Sequence, residues 1–145
     1  MAIPMAMLTY LRTALAGIPA TFASPPNLGS CRIGLEANMT PADYPMIRIV
    51  PIRLGRATAV RVSELVREVE CLVYFGVPIQ EFEAGAVEAG IENLYERIFA
   101  MEADIIAALP TTGAYLVRYV ETITDEDRVD AYKLMAMRVV VMGLT

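Results

Sequence analysis

The strongest periodicity in the chain lies between Phe82 and Leu109, FEAGAVEAGIENLYERIFAMEADIIAAL. Val87, Ile91, Leu94, Ile98, Ile105 and Leu109 recur at spacings of three, four or seven, and Tyr95, Phe99 and Ile106 widen the stripe. That is one apolar face of an α-helix. Glu88, Glu92, Asn93, Glu96, Arg97 and Asp104 take the opposite face, and Pro110 stops the helix by pushing the preceding residue out of helical geometry. Such a stripe needs a surface to lie on, and the flanking segments read as strands.

Ile3 to Ala16 predicts a first helix, with Pro4 in its first turn, Gly17 and Pro19 after its end, and Met7, Leu8, Leu11 and Leu15 as its buried stripe. Residues 18–43 read as a long loop with turn signals at Pro25-Pro26-Asn27 and Gly29-Ser30, in which Arg32 to Leu35 could form a short strand. Tyr44 to Arg53 alternates as a strand, Ile47 and Ile49 on one side, Met46, Arg48 and Val50 on the other. Pro45 and Pro51 favour an edge position or the strand ends, because proline donates no ladder hydrogen bond. Residues 54–63 are basic and read as a loop or a flexible hairpin arm.

Glu64 to Pro78 is the next strand, with Leu65, Val69, Cys71, Val73 and Phe75 toward the core and Glu68, Glu70, Leu72 and Tyr74 away from it. After the long helix, Gly113 to Ile123 and Ala131 to Gly143 are two strands joined by the acidic turn TDEDRVD, hence an antiparallel hairpin. The expectation is one α+β domain over residues 1–145. It has a mostly antiparallel four-stranded sheet with two helices packed on one face, in the order α-β-β-α-β-β.

Composition adds an interface. Hydrophobic residues make up 56% of the 145 and charged ones 20%, so some apolar surface is expected to meet another chain. The net charge of −5 argues against a general nucleic-acid binder. The opening MAIPMAML lacks the basic region of a secretory signal, and no apolar run reaches the ~20 residues of a membrane span. Cys31 and Cys71 lie in no CxxC pattern and read as reduced thiols, unless the fold brings their Cα atoms within ~7 Å.

Catalysis finds little support. With no histidine, the Ser-His-Asp and Cys-His systems and histidine metal ligands are absent. Asp125, Glu126, Asp127 and Asp130 could hold Ca²⁺ or Mg²⁺ together with Glu121. They lack the EF-hand pattern, so a solvated hairpin tip is the simpler reading. The glycines fit no phosphate-binding loop. The expectation is no enzyme, no cofactor and no metal.

Charge is unevenly spread. Arg48 to Arg67 holds five arginines and one acid, a net of +4; Glu81 to Asp104 holds seven acids and one arginine, a net of −6. Ordinary solvated surface accounts for this as well as head-to-tail self-association does. For the latter, the candidate interface residues are Arg53, Arg56, Arg61 and Arg67 on the basic side and Glu88, Glu92 and Glu96 on the acidic side. The basic arm could instead meet passing DNA through phosphate charge alone.

The element order, with RIGLEANMTPADYPMIRIVPIR at Arg32 to Arg53 and the EAGAVEAGIENLYERI helix, resembles the tail terminator (tail completion) proteins of long-tailed bacteriophages. The resemblance implies a ring-forming virion protein, a homohexamer, that caps the tail tube and joins the head. Its partners would be copies of itself, the tail tube protein and head–tail connector proteins, in the virion tail and, during assembly, the host cytoplasm. It brings no catalytic residue. A head–tail connector or neck protein, a small carboxylate- or metal-dependent enzyme and a monomeric regulatory adaptor are the competing expectations.

Overall fold

The computed structural model describes residues 3–23, 28–36, 39, 43–58, 65–78, 87–124 and 132–144, with backbone alone at 56–58, 65, 66, 87–91, 132 and 144. Helix α1 spans Ile3–Leu15 and is followed by a single turn, α2, at Ile18–Thr21. Strands β1 (Ser30–Ile33), β2 (Met46–Thr58) and β3 (Leu65–Pro78) precede the long helix α3 (Val87–Ala108), and β4 (Leu116–Thr124) and β5 (Tyr132–Leu144) close the described chain.

The class is α+β, and the sheet has five strands rather than four, in the order β1-β2-β3-β5-β4. The added strand is β1, which pairs parallel to Met46–Ile49 of β2 inside the stretch read as a long loop. The short strand offered at Arg32 to Leu35 overlaps it and starts two residues late. β1 exists because β2 offers it an edge. The other pairings are antiparallel, and β3 is bonded along nearly its whole length by β2 on one side and β5 on the other.

Of the two readings of the basic stretch after Arg53, a loop or a hairpin arm, residues 54–58 follow the second. β2 runs on through Thr58, and Thr58 pairs with Leu65, so residues 54–58 are a hairpin arm of the sheet rather than a loop. Gly55 and the polar residues there are carried by a partner strand of strong β character. Residues 59–64, including Arg61, lie outside the described residues.

Both long helices lie on one face. Met7, Leu8, Leu11 and Leu15 of α1 and Leu94, Ile98, Met101, Ile105 and Leu109 of the α3 segment form one buried cluster with Ile47, Ile49, Val69, Cys71, Val73, Phe75, Val77, Met135, Met137, Val139 and Val141. Met101 fills the seven-residue gap between Ile98 and Ile105, so the true stripe steps by three and four throughout. Phe99 and Ile106, expected to widen the stripe, are exposed.

The far end of β2 is buried on both faces. Met46 and Arg48, on the side opposite Ile47 and Ile49, are 0% and 2% exposed. The Arg48 guanidinium donates from Nε to Glu36 Oε2 at 2.7 Å and from NH1 to the carbonyls of Ser30 and Ile47 at 3.1 and 2.9 Å. It thereby fastens β1 and the residues after it onto β2. Lys133 of β5 is likewise buried, with its ammonium 5.0 Å from the centre of the Tyr95 ring, a cation–π distance.

Arg97 is not a solvated residue of α3, as its place on the polar face predicts. It donates to Pro78 O at 2.9 Å and to Phe22 O at 3.2 Å, tying the end of β3 and the cap of α2 to the helix. Burial lowers its pKa from the ordinary guanidinium value.

Candidate interaction surface

Among the described residues, the outer side of β1, the part of β2 beyond it and the outer side of β4 have no strand partner, and the last two are the longer edges. β1 pairs only with Met46–Ile49, so β2 has no described neighbour on its outer side from Pro51 onward. Gly34 N–H donates to Ile49 O at 2.8 Å. Alternate residues of β2 therefore turn their backbone groups toward β1, and Pro51, next in that set, brings no N–H to the open edge. At the opposite end, β4 has β5 as its only described partner.

Large apolar side chains flank both edges. Ile52 and Leu54 are 43% and 54% exposed, and Ile3 and Met5 of α1 are exposed beside them. Pro4, Met5 and Leu8 form one wall of a groove whose other wall is Pro51 to Leu54. Cys31 Sγ of β1 lies 3.9 Å from Arg12 O, so β1 runs beneath the last part of α1. The groove continues the track of β1 beneath the first part. It lies between the start of helix α1 and the part of β2 that has no described neighbour on its outer side. On β4, Leu116, Tyr119, Val120 and Ile123 are exposed.

The sheet face away from the helices carries a row of charge that crosses every strand from β4 to β2. Glu121 Oε1 is 3.1 Å from Arg138 NH1. Arg138 Nε is 3.3 Å from Glu70 Oε1, close enough for charge attraction but not aligned for a hydrogen bond. Glu70 Oε2 accepts from Arg53 Nε at 3.1 Å. The row reads acid, base, acid, base. Its inner members are the more covered: the Glu70 side chain is 20% exposed, against 50% for Glu121 and 69% for Arg53. Each edge strand is irregular at this level, with a register shift between Pro51 and Arg53 in β2 and between Tyr119 and Glu121 in β4.

The residues singled out from sequence are scattered by this arrangement. Arg53 is at the open edge of β2 and paired with Glu70. Arg67 is half-buried on β3, and its Cα partner across the ladder is Arg56. Glu92 and Glu96 are exposed on α3. Glu88 is in the first turn of α3, and Arg61 lies outside the described residues. Of the five arginines counted as a basic stretch, Arg48 and Arg53 are committed to Glu36 and Glu70 of the same chain. Counting along the sequence missed Glu70, Arg138 and Glu121 as their neighbours. The available signal was Glu70 on the polar side of β3, which a hairpin of the right register sets opposite Arg53.

No group of three or more His, Cys, Asp or Glu side chains suited to a metal occurs among the described residues. The acidic turn from Asp125 to Asp130 is outside them. No described helix is long and apolar enough to cross a membrane.

Both cysteines are free thiols. β2 lies between the strands that carry them, two ladder spacings or ~10 Å apart, beyond disulfide reach. Burial raises the Cys31 pKa to about 11 and that of Cys71 to about 12, because the thiolate is disfavoured away from water. The native protein at pH 8 is therefore expected to react with a disulfide reagent such as DTNB far more slowly than free cysteine does, and to release two equivalents in denaturant. Fast labelling of either thiol in the native state would contradict their placement.

Models of known protein families and curated proteins were compared with the sequence, and none matches.

Proposed function

We propose that this chain is a structural protein of a long-tailed bacteriophage or prophage: a tail terminator whose copies close into a ring, cap the tail tube and present the surface that joins the head. The observation that carries this reading is the pair of open sheet edges, both lined with exposed large apolar side chains, in one chain. Unpaired strand edges invite another strand. Two different edges on one molecule make a head-to-tail contact, which closes into a ring when the rotation per copy allows it. The element order that resembles the tail terminators supports the same reading, and so does the absence of histidine.

In this role the mechanism is geometric. A closed ring offers one end to the last layer of tube subunits and the other to the head–tail connector, and further tube growth stops because the exposed end no longer repeats the tube's surface. A connector or neck protein would use the same kind of ring and differ in its partners.

Light scattering after size exclusion tests the ring. The expected result is one discrete mass near six times 15.9 kDa, with particles showing an open centre by electron microscopy. A monomer at all concentrations up to the millimolar range would overturn self-assembly into a ring and favour the adaptor reading.

A further inference from the structure

The two open edges fit each other, and three independent features say so. The first is strand direction. From β2 to β3, β5 and β4 every pairing is antiparallel, so β4 runs opposite to β2. If a second copy is set beside the first with its sheet running the same way, its β4 meets the open edge of β2 antiparallel, the more stable pairing.

The second is charge. The row from Glu121 through Arg138 and Glu70 to Arg53 begins with an acid at one edge and ends with a base at the other. The row is oblique: Arg53 and Glu70 lie on the rung of Val140 and Arg118, while Arg138 and Glu121 lie on the rung of Leu72, and docking with that same two-residue slant sets Arg53 of one copy against Glu121 of the next on the same sheet face. The two residues with the most exposure in the row are the two that such a contact would cover.

The third is shape. The groove lined by Pro4, Met5 and Leu8 lies beside the edge of β2 that has no described neighbour from Pro51 onward, where a further strand would add. Tyr119 of an incoming β4 belongs to its helix-side face, since it pairs with Val139, and being 38% exposed it is free to meet the Leu54 end of that groove.

We infer that a second copy of this chain adds its β4 to the free edge of β2, antiparallel, with its Glu121 against Arg53, so that the sheet runs continuously from copy to copy. This rests on the self-association proposed above and names the contact that makes it. A heterologous partner strand would satisfy the backbone edge but has no reason to end in an acid at this level.

Charge reversal with mixing tests it. R53E alone and E121R alone should each raise the concentration for half-dissociation at low ionic strength by tenfold or more. Each variant also disturbs a pair within its own chain, but that defect is unaffected by adding the other protein. In an equimolar mixture every junction between unlike copies is again acid against base, so assembly should return toward the wild-type midpoint. No recovery on mixing, with both variants folded by circular dichroism, would overturn the contact.

Cross-linking with R53C/E121C gives an independent readout. Within one chain the two positions are three ladder spacings apart, ~14 Å, too far to join. Oxidation should therefore link copies, while the single variants form no ladder. Links that stop at one closed size support both the contact and the ring. A ladder without limit supports the contact and overturns the ring. An assembled protein that does not link overturns the contact and leaves the ring to another surface.

Discussion

Ile98→Ala is expected to cost about 2–5 kcal/mol of folding stability, measured by urea denaturation. Ile98 is 0% exposed in the middle of α3 and belongs to the cluster that joins that helix to α1 and the sheet. The substitution removes three carbons from a site walled by other side chains, so the neighbours close only part of the space. The comparison that gives the number meaning is Ile106→Ala on the same helix. Ile106 is 37% exposed, and its loss should cost about 1 kcal/mol or less. Equal losses at the two positions would show that α3 is turned on its axis relative to the packing described.

Glu36→Ala is expected to cost roughly 2–3 kcal/mol at pH 7, large for a side chain 41% exposed. The reason lies in its partner. Arg48 is 2% exposed, and removing the carboxylate takes from a buried guanidinium the charged acceptor of its Nε–H and leaves it the carbonyls of Ser30 and Ile47. Solvent reaching Glu36 screens the pair, which sets the figure below that of a fully buried one. Arg48 is also what fastens β1, so the variant should exchange amide protons along Ser30–Ile33 faster than wild type.

The same pair gives a pH dependence. The hydrogen bond from Arg48 holds the Glu36 pKa below its ordinary 4.5. A depressed carboxylate pKa means that the contribution is complete above pH 4.5 and fades as pH falls through the lower folded value. The stability gap between wild type and Glu36→Gln should therefore narrow from pH 7 to pH 3. A gap that stayed constant would place the Glu36 contribution in packing rather than charge.

Some of this architecture could be read from the chain. The stripe of α3, the alternation of β3 and the polar turn before β5 each repeat over enough residues to outweigh local noise, and the class and the helix-side core follow from them. β1 is legible only as an optional short strand at Arg32 to Leu35, two residues late, because its four residues pair along β2 rather than repeat a pattern of their own. Alternation places Arg48 with Met46 and Val50 on the side of β2 opposite Ile47 and Ile49, and by itself does not bury an arginine there. Its burial depends on Glu36, twelve positions earlier, folding back over it.

The interface residues divide along the same line. Arg53 was singled out as a basic residue of a self-association surface, and the structure sets it at an open edge, but in a different company. Its nearest acid is Glu70 of the next strand, and the acid that would meet it from another copy is Glu121, not a residue of α3. Charge counted along a sequence finds neighbours in a helix. In a sheet it misses them, because adjacent charges belong to strands tens of residues apart. The edge position of β2 is signalled by Pro45 and Pro51, but the exposure of Ile52 and Leu54 is not, since nothing in the pattern says that β1 stops pairing at Ile49.

The paired irregularities in the two edge strands have a consequence for misassembly. A flat apolar edge accepts almost any extended segment, and a chain that is 56% hydrophobic would then be prone to fibrous aggregation while it is being made. A bulge twists the strand and throws its bonding groups out of phase with a regular partner. Pro51 removes one donor from the same edge. Because β2 and β4 are irregular at matching heights, beside Arg53 and Glu121, the strand that suffers least from the irregularity is one with a compensating kink of its own. Nascent chains and unrelated proteins meet a poor template, and the folded copy meets a good one.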